Sequence, residues 1–527
     1  MSNEFLNKTQ AHFELKRTLQ DGEYISDIIT PETMAEWHIG NKVLITSNTG
    51  TGKTYFVMDA LYKMCSPKKY KILLLTNRVW LREQLIALYG EKSKDLVTIM
   101  NYQSYANYIV FHPNKIEDRY KIIVADEAHW FFADSPFSNK TDIPLNYLIN
   151  NTDNQLVIFI SATSKILQSY FAQQKEHCLD FNYQFIRPYR FDGYYYWDDI
   201  QIIRKMLLSL PKDEKAIYFC SNLKTAYQLH MDMPNNSAFI CATKNQKYGQ
   251  YCSVETLEQL RKYEKFDTQI LFTTSVIENG INIKDSQVKH IIIDLNDFDT
   301  IVQCIGRRRI MDKNDLPSIY IKQFRQASLQ TQINNIERKL RPLNYFRTHN
   351  NIEFNAVYGK KSTYGLLYTE GISKDENISR YEVNYAKEMK FKYDIDLYRQ
   401  INKKDGKFGH LKHLCDCMNI PFTNFQDLAM YYDKVTITDK LNYYIGKKLF
   451  DADKTQFVEF LKKDALKPMQ GGYKAKTVNS YFNDRKIPFV VIESKEKSRK
   501  SNKYNKRFWM VKHIEEVRPQ SAISNKT

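Results

Sequence analysis

Ser47-Asn48-Thr49-Gly50-Thr51-Gly52-Lys53-Thr54 follows the apolar run Val43-Leu44-Ile45 and precedes a helix-compatible stretch, Tyr55 to Tyr62. A strand that turns through small residues into a helix aims backbone N–H groups and the positive end of a helix dipole at one point, a cradle for phosphate. In such a loop Lys53 reaches the terminal phosphates of a nucleotide, and the Thr54 hydroxyl ligates Mg²⁺. Ser47 stands where the pattern G-x-x-x-x-G-K-[ST] has its first glycine, and a residue that small still fits. The plain alternative is a Gly-rich turn with a surface lysine, so the rest of the chain must decide.

Downstream, Lys71-Ile72-Leu73-Leu74-Leu75-Thr76 is continuously apolar, as a strand buried on both faces is. A helix is expected over 80–89 and a short strand over Val97–Met100. Lys121 to Ala125 then delivers Asp126-Glu127-Ala128-His129, and Leu156 to Ile160 delivers Ser161-Ala162-Thr163. Strands alternating with helices, with polar residues at the strands' carboxyl ends, predict a doubly wound α/β domain. Upstream, the pattern predicts a helix near 9–20, with Gln20 and Tyr24 as candidates to hold a base.

The alternation recurs. Ala216 to Cys220 ends in Ser221-Asn222, Gln269 to Thr274 leads towards Gly280-Ile281-Asn282, and His290 to Asp294 precedes Gln303-Cys304-Ile305-Gly306-Arg307-Arg308-Arg309. This second α/β unit has no phosphate loop of its own. The expected organisation is an N-terminal extension (1–38), two α/β domains (39–187 and 188–330), a connector (331–400), a mostly helical basic domain (401–518) and a disordered tail (519–527).

Hydrolysing a nucleoside triphosphate requires a phosphate cradle, a metal, a positioned water and positive charge at the γ-phosphate. Asp126 is placed for the metal and Glu127 for the water; alone, such a pair is often only a helix cap. Arg307, Arg308 and Arg309 are candidate fingers, although three arginines in isolation read as a solvated helix face.

Taken in order, Ser47–Thr54, Asp126–His129, Ser161–Thr163, Thr274 to Asn282 and Gln303 to Arg307 resemble the superfamily 2 helicases of the DEAH-box type, over roughly residues 40–320. The resemblance implies two RecA-like domains closing on ATP–Mg²⁺ with a nucleic acid strand across both. It assigns Ser47, Asn48, Thr49, Gly50, Thr51, Gly52, Lys53 and Thr54 to phosphate, Thr54 and Asp126 to Mg²⁺, and Glu127 to the attacking water. Gly280 and Asn282 would approach ATP from the second domain, with Gln303 and Arg307 at the γ-phosphate. His129, Ser161, Ala162 and Thr163 would couple hydrolysis to movement. Arg78, Thr98, Gln103, Ser221, Asn222 and Thr273 or Thr274 would contact the nucleic acid backbone, without regard to sequence. The family's second arginine would fall at Ile310. Here Arg309 stands one place early, and a helix turns about 100° per residue. Arg309 would then leave from another side, which makes Arg307 the expected finger and Arg309 a further candidate.

Near the C-terminus, Lys474 to Arg485 reads as a basic helix, and Pro488 to Ile492 and Lys506 to Val511 as strands. The loop between them carries Lys497, Arg499 and Lys500. Helix, strand, basic loop, strand is the order of a winged-helix module, a further nucleic-acid contact; a solubilising hairpin is the plain alternative. His410, His413, Cys415 and Cys417 lack the paired second segment of a zinc site, and read as an apolar helix stripe that carries a cysteine.

The chain carries 77 Lys and Arg against 60 Asp and Glu, a net +17 that favours a polyanionic partner. Eight scattered cysteines fit a reducing compartment. No apolar run has transmembrane length and the polar N-terminus does not read as a signal peptide, so a cytoplasmic protein is expected, in a bacterial or phage-infected cell. The expected function is an ATP-dependent helicase or translocase, a monomer with DNA favoured over RNA. The alternatives are a duplex translocase that does not unwind, and a site-binding protein that uses ATP as a switch.

Overall fold

The computed structural model describes residues 11–77, 86, 90, 96–112, 119–133, 140–150, 153–173, 179–275, 281–312, 314–359, 361–373, 378–463, 469–472 and 474–516. Two compact units are present. The first comprises Met1–Asp192, Pro211–Pro317 and Gln323–Phe422, and the second Gly193–Leu210, Ser318–Lys322 and Thr423–Thr527. The accessory unit therefore does not begin at 401, because the helix Gly409–Met418 packs with the first unit.

In the first unit, a parallel sheet is built from β1 (Phe13–Thr18), β2 (Lys42–Ser47), β3 (Ile72–Thr76), β4 (Val97–Asn101), β5 (Ile122–Asp126), β6 (Leu156–Ser161) and β7 (Phe181–Ile186), in the order β1-β7-β2-β6-β5-β3-β4. Its registers, with Thr46 opposite Ser161, Asp126 opposite Ile160 and Thr76 opposite Asn101, align the carboxyl ends of the strands along one edge. The helical stretch after β2 lays Phe56, Met58 and Leu61 on the sheet beside Val43, Ile45 and Ile158. Each such side chain, fully buried, contributes about 1.5–3 kcal/mol.

Among the described residues, 11–20 do not form the helix expected near 9–20. Phe13-Glu14-Leu15-Lys16-Arg17-Thr18 pairs residue for residue with β7 as an edge strand. Phe13 packs on the rings of Phe181 and Tyr183, and that contact outweighs the weak helical pattern.

The first unit also holds β9 (Lys215–Cys220), β10 (Ser237–Ile240), β11 (Ile270–Thr273) and β12 (Val288–Asp294), parallel and ordered β10-β11-β9-β12. Within the second unit β8 (Tyr194–Trp197) pairs in parallel with β13 (Ser318–Lys322) and with the short β16 (Gln426–Asp427). The expected connector holds a 23-residue helix, Gln326–Thr348, an antiparallel hairpin of β14 (Leu367–Ser373) and β15 (Ile378–Val383), and a long helix, Tyr385–Asp405.

In the second unit the helix Ala475–Asp484, β18 (Phe489–Lys495) and β19 (Arg507–His513) follow the expected order, with β17 (Lys448–Leu449) on the far side of β19. Phe457, Phe482 and Trp509 fill their shared core. Asn479 brackets the Val491 backbone, accepting from its N–H at 2.7 Å and donating to its carbonyl at 2.9 Å. No described helix is long and apolar enough to cross a membrane.

Candidate functional site

The loop after β2 turns through Gly50 (φ +80°) and Gly52 (φ +87°), left-handed backbone that glycine adopts without strain. The Thr51 side chain is buried and donates to the Asn48 carbonyl at 2.8 Å, closing the turn from beneath. Lys53 Nζ donates to the Ser47 carbonyl at 3.1 Å, and Thr54 is exposed at the mouth. From outside, Ile25 N–H donates to the Thr51 carbonyl at 3.1 Å, and a Cβ at Gly52 would lie 3.1 Å from the Tyr24 ring. Tyr24 thus flanks the loop, whereas Gln20 is exposed and its N–H is held by Glu23. Arg187, which no sequence motif marks, donates to the Gly50 and Glu23 carbonyls and ties both segments together.

Asp126 and Glu127 leave the end of β5 beside this loop, Glu127 in left-handed backbone (φ +52°). Glu127 Oε1 lies 3.9 Å from Lys53 Nζ; its buried Oε2, 3.4 Å from His129 Nδ1, has no hydrogen-bond partner. Burial would raise the Glu127 carboxyl, but the charges of Lys53, His129, Arg307 and Arg309 hold it down at about 2. Burial and the Glu127 charge push Asp126 up to about 7, a carboxylate short of positive charge. Two adjacent carboxylates, one undercompensated and one with an unpartnered oxygen, together with an open threonine hydroxyl, are a hard-oxygen donor set suited to Mg²⁺.

The opposite wall is the helix Phe298–Arg307, capped by Asp297, which accepts from Thr300 N–H at 2.9 Å. Gly306 lies so close to the phosphate loop that an added Cβ would collide with Thr49 Oγ1. Arg307 has a buried Nε with no hydrogen-bond partner. The helix stops there, and Arg308 is extended (φ −73°, ψ 106°). The 100° rotation per residue therefore ends at Arg307 and does not set the direction of Arg309. Arg308 turns inward to Asp315 and the Val288 carbonyl, which removes it from the candidate fingers. Arg309 turns to the cleft, where its Nη1 lies 3.4 Å from the position of a Gly50 Cβ and its Nε donates to Asn282 Oδ1 at 2.9 Å. Ile310, where the family's second arginine would stand, is largely exposed. Gly280 and Arg78 lie outside the described residues.

Gln303 Nε2 meets His129 Nε2 at 2.7 Å, and His129 Nδ1 meets Ser161 Oγ at 3.2 Å. Ser161 Oγ donates to the Thr163 carbonyl at 2.6 Å, and Ala162 lies between them. The residues expected to couple hydrolysis to movement are thus one hydrogen-bonded chain. A cavity of about 180 Å³ adjoins the loop, lined among others by Thr49, Gly50, Arg187, Tyr189, Phe191 and Arg309.

Among the expected nucleic-acid contacts, Thr98 is half-buried on β4 and Gln103 is exposed on the next turn. Ser221 and Asn222 are exposed, with the Asn222 side chain capping the helix Leu223–Asp232. Thr273 is fully buried and donates to the Thr274 carbonyl, so it cannot present its hydroxyl to a strand; Thr274 remains. Lys497, Arg499 and Lys500 are exposed on the loop between β18 and β19. His410, from the cysteine-bearing stripe, is buried against the Phe298 ring, and its Nε2 donates to the Asn296 carbonyl at 3.0 Å.

Two protein families match this chain. One described as the type III restriction enzyme res subunit matches residues 3–166, and the helicase conserved C-terminal domain matches residues 198–310. An uncharacterised helicase, R8, of Acanthamoeba polyphaga mimivirus is 24% identical over 28% of this chain; the match spans 15% of that relative's length. Among solved structures, S. cerevisiae Dbp5 bound to RNA and ADP BeF3 is 17% identical with a TM-score of 0.38, over 54% of this chain and 78% of that one. A fragment assigned as the HsdR subunit of a type I restriction enzyme from Vibrio vulnificus is 17% identical with a TM-score of 0.37, over 53% of this chain and 59% of that one. With a phosphate loop and Asp-Glu pair on one sheet facing a Gln-Gly-Arg helix from the next, the first within the restriction-enzyme res subunit match and the second within the helicase C-terminal match, the chain carries the two RecA-like domains of a superfamily 2 helicase.

Proposed function

We propose that the protein is a nucleic-acid-dependent ATPase that uses hydrolysis to move along or unwind its track. The observation that carries this reading is the convergence of Lys53, Arg307 and Arg309 on the carboxylate of Glu127, whose Oε2 is left without a hydrogen bond. Opposite charges on two walls around an unpartnered base are what phosphoryl transfer to water needs. Bound ATP–Mg²⁺ would supply the scissile anhydride and the charge that compensates Asp126. Lys53 and the loop N–H groups would hold the phosphates, and Thr54 and Asp126 the metal. Glu127, kept ionised, would orient a water and accept its proton. Arg307 and Arg309 would stabilise charge on the transferred group, and Gln303–His129–Ser161 would report its loss to the other wall.

The track would be contacted by Thr98, Gln103, Ser221, Asn222 and Thr274, and separately by the basic loop with Lys497, Arg499 and Lys500. The matching restriction-enzyme family favours DNA. The test is steady-state ATPase with single-stranded DNA, duplex DNA, RNA or no polymer. Stimulation by a polymer that Lys53→Ala abolishes supports the motor, and the most effective polymer names the track. Slow turnover indifferent to every polymer, with tight binding at one sequence, supports an ATP-driven switch instead.

A further inference from the structure

Tyr102 is fully buried at the start of the helix Tyr102–Phe111, directly after β4 and within the Thr98–Gln103 segment. Its hydroxyl donates to the Asp126 carbonyl at 2.7 Å. At the other end of the same peptide unit, Glu127 N–H donates to Asp126 Oδ1 at 3.0 Å. Both polar atoms of the peptide joining the two acids are therefore held, one by a side chain from the neighbouring segment. Glu127 itself sits in left-handed backbone (φ +52°), so the orientation of that peptide sets where its carboxylate points. The Tyr102 ring also stacks on Trp130 at 4.6 Å and 9°, just after His129. Tyr102 thus touches the peptide between the two acids and the residue that follows His129.

The position of Tyr102 is fixed from the other direction by β4, in register with β3, and by Asn101, whose Oδ1 accepts from Ser104 N–H at 2.7 Å and starts the helix. Thr98, Asn101, Tyr102 and Gln103 lie on one continuous stretch, the end of β4 and the first turn of the helix that follows it. We propose that Tyr102 is a positioning residue that transmits nucleic-acid binding at Thr98–Gln103 to the Asp126–Glu127 turn, so that polymer stimulates hydrolysis through one buried hydroxyl. The inference rests on the motor reading above and adds the route by which the two sites communicate.

Tyr102→Phe removes that oxygen alone and keeps the ring on Trp130. Measured on the full chain with a 30-nucleotide single-stranded DNA or RNA, whichever stimulates the wild type, the variant should bind the oligonucleotide within about twofold of wild type. It should keep its polymer-free ATPase rate within about twofold, while the stimulated rate falls at least fivefold. Asn101→Ala, which loosens the same turn without touching the hydroxyl, should also reduce stimulation. Full stimulation in both variants overturns the proposal. So does an equal loss of basal and stimulated rates, which marks Tyr102 as a support for chemistry rather than a relay. A wild-type rate indifferent to all polymers sinks the motor reading and this relay with it. A normal melting curve and a retained basal rate in Tyr102→Phe exclude misfolding as the cause of a lost response.

Discussion

Gln303 Nε2 and His129 Nε2 stand 2.7 Å apart, the side-chain hydrogen bond that joins the Gln-Gly-Arg helix to the Asp-Glu-Ala-His turn. Through its other ring nitrogen, Nδ1, His129 meets Ser161 Oγ at 3.2 Å. Gln303→Ala leaves His129 Nε2 buried and unpaired, a cost of about 1–3 kcal/mol. A double-mutant cycle with His129→Ala should give a coupling of roughly 0.5–3 kcal/mol in the ATPase activation barrier. Additive effects would show that the pair does no joint work.

Gly306 has no room for a side chain, since an added Cβ would also lie 2.8 Å from Thr49 Cγ2. Gly306→Ala, although a better helix former by about 1 kcal/mol, should hold the two walls apart. kcat/KM for ATP should then fall at least tenfold, about 1.4 kcal/mol in the barrier. Thr49→Gly in the same chain removes the colliding atoms and should restore part of the loss. No recovery would place the fault elsewhere in the helix.

Arg309 and its neighbour Arg308 should separate cleanly by their readouts. Arg309→Ala should lower kcat by about 10²–10³, as the loss of one positive donor at developing charge does, with little change in melting temperature. Arg308→Ala breaks a buried pair with Asp315 and should cost about 3–5 kcal/mol of stability.

The strands that carry chemistry were legible because each is a continuous apolar run, buried on both faces, that ends in polar residues: β2 before the phosphate loop, β5 before Asp126, β6 before Ser161. β1 was hidden because Phe13-Glu14-Leu15-Lys16-Arg17-Thr18 is a mostly exposed edge strand whose partner, β7, lies far along the chain. The helix Tyr385–Asp405 buries Lys387, Glu388 and Lys390, so no amphipathic stripe marks it. The reach of Arg309 turned on where a helix stops, which residue type alone does not fix. Arg187 and Tyr102 act on backbone carbonyls, and such contacts leave no motif.

Lys390 shows what that burial does. Its Nζ donates to Asp297 at 3.0 Å and to Asp394 at 2.7 Å, so the cap of the arginine-bearing helix rests on a charge from the helix Tyr385–Asp405. Burial would raise the Asp297 carboxyl, but Lys390 and the Thr300 hydrogen bonds hold it down at about 2. Lys390→Met removes the cation from between the carboxylates and should cost about 3–5 kcal/mol in chemical denaturation. A loss below about 1 kcal/mol would mean that solvent replaces the lysine.

His410 gives the fold an acid limit. Burial pushes its imidazole down to about 4, against an ordinary value of 6.5, so the folded state binds a proton less readily than the unfolded chain. Its contribution is complete above pH 6.5 and is lost progressively as pH falls towards 4, by up to about 3 kcal/mol for a shift of that size. His410→Gln can still donate to the Asn296 carbonyl but does not titrate. The variant should therefore lose less stability than wild type between pH 7 and pH 4.5. Parallel denaturation curves for the two proteins over that interval would show that the acid sensitivity arises elsewhere.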